Sequence, residues 1–469
     1  MFPDRFFQGL ECPTTEIAPG GCTLVQPTFS IVVVSSSLTD EAEQQLRAGI
    51  QAFPGHQITS LTITWNPSNY QAAEIAVPTL SGVAPRVLEI LFTSRTWESV
   101  ETLTLANIRI NGPFDMRWLD HFPALTRVQA SSFFVPRLIR TSARANKHHP
   151  STSPPPSSSP SPPTSSSSPS PAPTPSFKAP ANDTTASPVT RVDLRGCGIE
   201  EIEPGALQKL QHLQTLNLDS NAIRVLAGRT FAGLSRLFSI SIRGNGMHTI
   251  ASDAFEGMDF LPVDPAAPYD NLRLLDLGDN SIASLAPHTL HSLRNLQWLN
   301  LALNALTSVH ADMLASSTQL MALDLRSNRI TAIQDGALRN CPELRNVFLG
   351  TNRLKSLPHN LFAGLQVLHQ VGVQANGLTA VPQALTSISV SNLFLDQNRI
   401  THIPPGLFSQ LQRTQFIELH ANAITAVEAG AFPPTLTQLG MNGNSIARID
   451  GAAFQGLTAL SVLTLHDNP

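Results

Sequence analysis

The sequence predicts an α/β repeat solenoid: short parallel strands stacked side by side along one face, with irregular or short helical return segments along the other. Three observations predict it. The pattern LxxLxLxxN recurs as "LQTLNLDSN", "LRLLDLGDN", "LQWLNLALN", "LMALDLRSN", "LRNVFLGTN", "VSNLFLDQN" and "TQFIELHAN". Its closing residues, Cys197, Asn221, Asn245, Asn280, Asn304, Asn328, Asn352, Asn376, Asn398, Asn422, Asn444 and Asn468, are spaced 24, 24, 35, 24, 24, 24, 24, 22, 24, 22 and 24 residues apart. Ten positions beyond the ladder residue stands a further large apolar side chain: Leu207, Phe231, Phe255, Leu290, Leu314, Leu338, Phe362, Phe408, Phe432 and Phe454. A fixed period of roughly 20–50 residues marks stacked repeats, each too small to bury its apolar face alone.

Each element of the repeat has a physical reason. The alternating LxL puts two side chains on the buried face of a short strand and turns the intervening residues to solvent. The asparagine that follows can both donate and accept, so it can satisfy backbone groups where the chain turns out of the strand. The apolar residue ten positions on forms a second column, a spine that fills the width the strand residues cannot reach. Cys197 takes the first ladder position and offers weaker hydrogen bonding than an amide. The 35-residue step carries eleven extra residues around "MDFLPVDPAAPYDN", expected to bulge on the side away from the strands.

Twelve rungs over 189–469 resemble the leucine-rich repeat family, in its 24-residue "typical" class, LxxLxLxxNxIxxIxxxxFxxLxx. That class occurs in secreted and cell-surface proteins such as Slit, the Toll-like receptors and the small leucine-rich proteoglycans, and the two 22-residue steps are similar to the shorter repeats of those proteoglycans. The resemblance implies a horseshoe with a parallel β-sheet on its concave face. It also implies non-catalytic protein recognition by a receptor ectodomain, adhesion protein or matrix component, at the cell surface or outside the cell. An intracellular scaffold, or the targeting arm of an enzyme whose catalytic domain is absent from this stretch, are the alternatives.

Residues 1–140 carry a degenerate form of the same signal. "ITSLTITWN" fits the rung at Ile58, Leu61, Ile63 and Asn66, while "VETLTLANI" and "LTRVQASSF" keep the apolar spacing without the asparagine. The opening "MFPDRFFQGL" aligns Phe2 with Leu357, Phe7 with Phe362 and Leu10 with Leu365, so Met1 falls inside a repeat. The array stops directly after Asn468, where a C-terminal cap is expected, and both features read as a fragment.

Between the two regions, 141–188 forms a Pro/Ser/Thr-rich linker. Its centre, 150–176, contains only Pro, Ser and Thr apart from Ala172, buries nothing that could offset the entropy of ordering, and is expected to be disordered. It reads either as a plain linker or as an O-glycosylated stalk, and Asn182 heads the N-x-T sequon Asn182-Asp183-Thr184 just beyond it.

Composition narrows the partners. A net charge of -4 gives no footprint for nucleic acid or an anionic membrane, and no apolar run reaches the ~20 residues that span a bilayer. Four cysteines are too few for a disulfide scaffold, although Cys12 and Cys22 could close a small loop in an oxidising compartment or stand as two thiols; the state of Cys197 and Cys341 is open. No GxSxG, HExxH or phosphate-cradling glycine loop is present, so no catalytic, cofactor or metal site is expected.

The expected binding surface is the set of solvent-facing strand positions. Four large aromatics, Trp298, Phe348, Phe394 and Phe416, occupy them within rungs five to ten, with Asp324, Arg326, Glu418 and His420 beside them. Aromatic residues anchor interfaces and polar neighbours set orientation. The same rings could instead pack on one another as surface filler.

Overall fold

The computed structural model describes residues 28–33, 60–65, 101–106, 113–115, 119, 122–131, 137–139, 188–258, 272–366 and 368–469. Sixteen strands within them form one parallel sheet whose spatial order follows the chain. Rungs one to twelve contribute Arg191–Asp193, Thr215–Asn217, Ser239–Ser241, Leu274–Asp276, Trp298–Asn300, Ala322–Asp324, Asn346–Phe348, Gln370–Gly372, Asn392–Phe394, Phe416–Glu418, Gln438–Gly440 and Val462–Thr464. The sheet keeps one register throughout. Gln370 pairs with Asn392 and Phe416 with Gln438 across the two 22-residue steps, and Ser239 pairs with Leu274 across the 35-residue step. Differences in repeat length are therefore absorbed on the opposite side, which holds two-residue strand pairs such as Val225–Leu226 with Thr249–Ile250 and the 3-10 turns Ala311–Leu314 and Gln383–Leu385.

Period-2 alternation buries the two LxL positions from Val192 and Leu194 in rung one to Leu439 and Met441 in rung eleven. In the edge strand Val462–Thr464, Leu463 is 37% exposed where its counterpart Leu439 is 1% exposed, because it packs against a neighbour on one side only. The spine column is buried from Leu207 to Phe432, and its phenylalanines stack: Phe231 on Phe255 at 5.7 Å and Phe408 on Phe432 at 5.9 Å between ring centres.

The asparagine ladder ties each rung to the one before. Asn328 Nδ2 donates to Leu301 O (2.9 Å), Leu325 O (3.1 Å) and Arg326 O (3.2 Å), while its Oδ1 accepts from the Leu306 N–H (3.0 Å). Asn221, Asn304, Asn376 and Asn422 repeat the arrangement. Cys197, by contrast, makes one long Sγ contact to Arg195 O at 3.7 Å, and burial pushes its thiol up to about 12. The residue before the ladder position takes a positive φ in all twelve rungs, yet only Gly196, Gly244 and Gly443 are glycines. Thr351 (φ 56°) and Leu303 (φ 58°) hold a conformation that costs an L-residue about 1–2 kcal/mol. The ladder amide closes the turn across that strained residue and offsets the cost.

The sheet runs on toward the N-terminus through Arg127–Ser131, Thr102–Ala106, Ser60–Trp65 and Thr28–Val33. The last of these is a strand that the repeat pattern does not flag, since "TFSIVV" lacks the ladder asparagine; its register, Phe29 with Leu61 and Ile31 with Ile63, continues the columns of the array. Arg127 pairs directly with Arg191, and Arg137–Ile139 pairs with Glu201–Ile202, so the strands on either side of 141–188 are neighbours in space. Deleting 150–176 leaves 140–149 and 177–187 to make that connection. The melting temperature is then expected to change by no more than about a few degrees; a large drop in a thermal scan would show that the segment packs on the solenoid. Cys12, Cys22, Asn182, the opening residues 1–10, the Pro/Ser/Thr stretch and residues 259–271, where the bulge of the 35-residue step is expected, lie outside the described residues.

Candidate functional site

Outward-facing strand positions form three parallel columns on the sheet, six, four and two residues before the ladder residue. In rungs one, two, four, five and six the middle column is Asp or Asn, and each serves the backbone. Asp193, Asn217, Asp276, Asn300 and Asp324 accept from the N–H two residues on, at 2.9–3.2 Å. This local bond closes the turn at the strand end. Rungs seven to nine replace that residue with Phe348, Gly372 and Phe394, so the middle column changes from turn closure to apolar surface.

The structure distributes the eight expected residues unequally. Asp324 is 6% exposed and holds Arg326, whose Nε donates to Oδ1 (3.0 Å) and Oδ2 (3.1 Å), with Nη2 on Oδ2. The Arg326 guanidinium, half exposed, lies over the Phe348 ring at 5.0 Å from its centre. Asp324 thus positions an arginine rather than presenting a charge. Phe394 and Phe416 pack together, 5.2 Å between centres and tilted by 49°, and both rings remain partly exposed. Trp298 is partly exposed at the start of its strand and belongs to no aromatic pair among the described residues.

Glu418 and His420 form a unit with a residue the sequence reading left out. His420 Nδ1 lies 2.8 Å from Glu418 Oε1, and its Nε2 lies 3.6 Å from Asp396 Oδ2. Asp396 is 6% exposed; burial raises its carboxyl above the ordinary range, and the nearby His420 opposes that shift. Gln374 is a second omission. Its amide lies across the side-chain-free Gly350 and Gly372, and its Oε1 is buried without a hydrogen-bond partner among the described residues. Both residues appear in the column two before the ladder, but a column position does not reveal whether a side chain stands up or lies down. That depends on the neighbouring rung, and glycine there lets it lie down.

The polar half of the sheet carries a testable charge. Asp276 Oδ1 accepts from the Gly278 N–H and from Asn300 Nδ2, both at 2.9 Å. Burial nevertheless raises its carboxyl above the ordinary 3.8, outweighing those bonds and Arg243, with Asp219 adding to the rise. The folded state therefore holds this proton more tightly than the unfolded chain, so ionisation of Asp276 costs stability as pH rises through its raised value. Relative to wild type, Asp276→Asn is expected to gain stability as pH rises above about 4, read by urea unfolding at each pH. A pH-independent difference would mean that Asp276 titrates normally.

Among the described residues, no helix is long and apolar enough to cross a membrane, and no group of three or more His, Cys, Asp or Glu is arranged to hold a metal ion. No curated protein sequence matches the chain. Solved structures resemble it at low identity. A leucine-rich repeat protein of Leptospira interrogans is 17% identical, with 90% of this chain and 93% of that one covered and a TM-score of 0.53. Toll, in the Drosophila Toll–Spatzle complex, is 18% identical with a TM-score of 0.57, and this chain spans 94% of itself but 48% of Toll. TLR13, in its complex with ssRNA13, is 14% identical with a TM-score of 0.53, covering 94% of this chain and 58% of that one. These likenesses show the fold. The leucine-rich repeat family itself matches residues 187–247, 270–320, 318–378, 388–446 and 417–469, over half of the sequence, on the same rungs that carry the asparagine ladder and the parallel sheet, and the chain belongs to that family.

Proposed function

We propose that the protein is a non-catalytic recognition module that binds a protein partner on the concave face of rungs five to ten, at the cell surface or outside the cell, as a receptor ectodomain, adhesion protein or matrix component. In this reading 189–469 carries recognition, 1–140 extends the sheet, and 141–188 is a linker that takes no part in binding. One observation carries it: partly exposed aromatic rings stand on the solvent-facing columns of rungs five, seven, nine and ten with charged groups beside them, and the middle column loses its turn-closing Asp and Asn from rung seven on. With strands about 4.8 Å apart, the five steps from Trp298 to Phe416 span roughly 24 Å, a width suited to one protein partner. The complex of Toll with Spatzle supports a protein ligand on this fold. The RNA complex of TLR13 is a weaker guide, because the strand columns of rungs eight to twelve hold no Lys or Arg to neutralise phosphates.

The test compares two double variants of the whole chain, each first checked for folding by circular dichroism. Trp298→Ala with Phe348→Ala removes two exposed rings, and loss of each anchor is expected to weaken partner binding by about ten-fold or more. Thr215→Ala with Ser239→Ala, on rungs two and three, is expected to leave binding unchanged. Equal losses in partner capture would place the site elsewhere on the sheet.

A further inference from the structure

The aromatic stretch begins at Trp298, but the column in which it stands continues toward the N-terminus. Six residues before the ladder position, successive strands carry Trp298, Leu274, Ser239, Thr215, Arg191 and Arg127. The two arginines pair in register, so their strands hold them about 4.8 Å apart on the outward face. Both are exposed, and among the described residues neither side chain has an ion pair or a hydrogen bond. Arg326, the strand-column arginine of rung six, is instead held by Asp324. The carboxylates nearest the pair serve other groups. Asp193, two residues beyond Arg191, accepts from the Arg195 N–H at 3.2 Å, and Asp219 of rung two accepts from the Arg243 N–H and the Ser241 hydroxyl. Glu101, on the other side, takes the Arg127 N–H on its backbone carbonyl at 3.0 Å, while its exposed carboxylate makes no ion pair among the described residues. Like charges side by side on one sheet face repel, and the described residues place no anion between these two.

Resting on the reading of the concave face as a protein-binding surface, we propose that Arg127 and Arg191 are the docking point for a pair of acidic side chains of the partner, which extends recognition one strand beyond 189–469. The chemistry selects this occupant. An unpaired guanidinium presents a flat fork of donors that matches a carboxylate, and two of them side by side are neutralised by two carboxylates on one short segment. A long polyanion fits poorly. The basic patch is two strands wide, bounded in its column by Thr102 and Thr215, and Glu101, Asp193 and Asp219 around it oppose a run of phosphates or sulfates. Position favours a shared partner, because the column leads straight from Arg191 to Trp298, four strands on and roughly 19 Å away. A partner laid along it sets its carboxylates on the arginines and an apolar group on Trp298. The far end of the face is acidic, with Asp396 and Glu418 on rungs nine and ten, so a partner docked the other way round brings like charges together.

The test titrates the full chain at low salt with three probes, Ac-Gly-Glu-Glu-Gly-amide, its glutamine counterpart and the oligonucleotide hexathymidylate, by saturation-transfer NMR. The glutamate peptide is expected to bind saturably, the neutral glutamine peptide about ten-fold more weakly, and hexathymidylate no more tightly than the glutamate peptide. Arg127→Gln with Arg191→Gln alters only exposed side chains, so the fold is retained, and glutamate-peptide binding is expected to fall about ten-fold. Arg448→Gln, an exposed arginine paired with Glu428 away from this face, is expected to leave it unchanged. Absence of saturable binding, equal binding of the two peptides, full binding to the double variant, an equal loss in Arg448→Gln, or tighter arginine-dependent binding of hexathymidylate each overturns the proposal. Partner capture then separates the two readings. If the Trp298/Phe348 double variant loses the partner while the Arg127/Arg191 double variant keeps it, the concave face recognises a protein without this acidic contact, and the proposal falls alone. If the arginine variant loses both the partner and the glutamate peptide while the Trp298/Phe348 variant keeps the partner, the acidic contact stands and the aromatic surface does not.

Discussion

Replacing Phe408 by alanine is expected to destabilise the array by about 3–5 kcal/mol, the range for emptying a fully buried aromatic site. Phe408 has no exposed surface and stacks on Phe432 with ring planes 14° apart. Truncation therefore leaves a cavity and strips Phe432 of a partner, a contact worth roughly 0.5–1.5 kcal/mol beyond its area. Rungs touch only their neighbours, so the damage is local. Hydrogen exchange should accelerate in rungs nine to eleven and remain slow in rungs two to four, while urea unfolding reports the total loss. A cost below about 1 kcal/mol would mean that the return segments collapse into the gap.

Asn328→Leu is expected to cost on the order of 3 kcal/mol, because one substitution orphans several buried backbone groups. Leu301 O, Leu325 O, Arg326 O and the Leu306 N–H all lose their partner, and leucine supplies neither donor nor acceptor. Two of these groups belong to rung five, so the loss spreads backward: protection should fall in rungs five and six together. The turn also loses the amide that holds Ser327 at φ 55°. Asn328→Asp makes the useful comparison, since it keeps the acceptor for Leu306 and loses only the donor side. If Asn328→Leu unfolds at the same urea concentration as wild type, the ladder is a consequence of the turn and not its support.

The candidate surface was only partly legible. Spacing located Trp298, Phe348, Phe394 and Phe416 on the outward columns, because alternation along a strand is a local property. It did not separate Asp324 from Glu418, though both stand four residues before a ladder asparagine. Asp324 is drawn down by its own strand-end N–H and covered by Arg326, whereas Glu418 lies over Gly440, where a Cβ would collide with its carboxylate, and faces His420. Part of the difference is made two residues on, by Arg326 and His420, and part by Gly440 on the next rung, 22 positions away. For the same reason Gln374 and Asp396 drew no notice until Gly350, Gly372 and His420 were seen around them.

The sequence by itself determined the strands, their parallel order, the ladder and the spine, since each follows from a side chain that meets its own counterpart one period later. A column of identical residues stacks the same way in every rung, so one-dimensional spacing suffices to specify it. Tertiary structure alone decided what happens where the columns are not uniform. It made "TFSIVV" a strand of the sheet, the first among the described residues, although no asparagine announces it, brought Arg127 against Arg191 across 63 intervening residues, and laid the Gln374 amide over Gly350 and Gly372. In each case a neighbour distant in the sequence acts through contact in space, which a repeat period records only when both partners repeat.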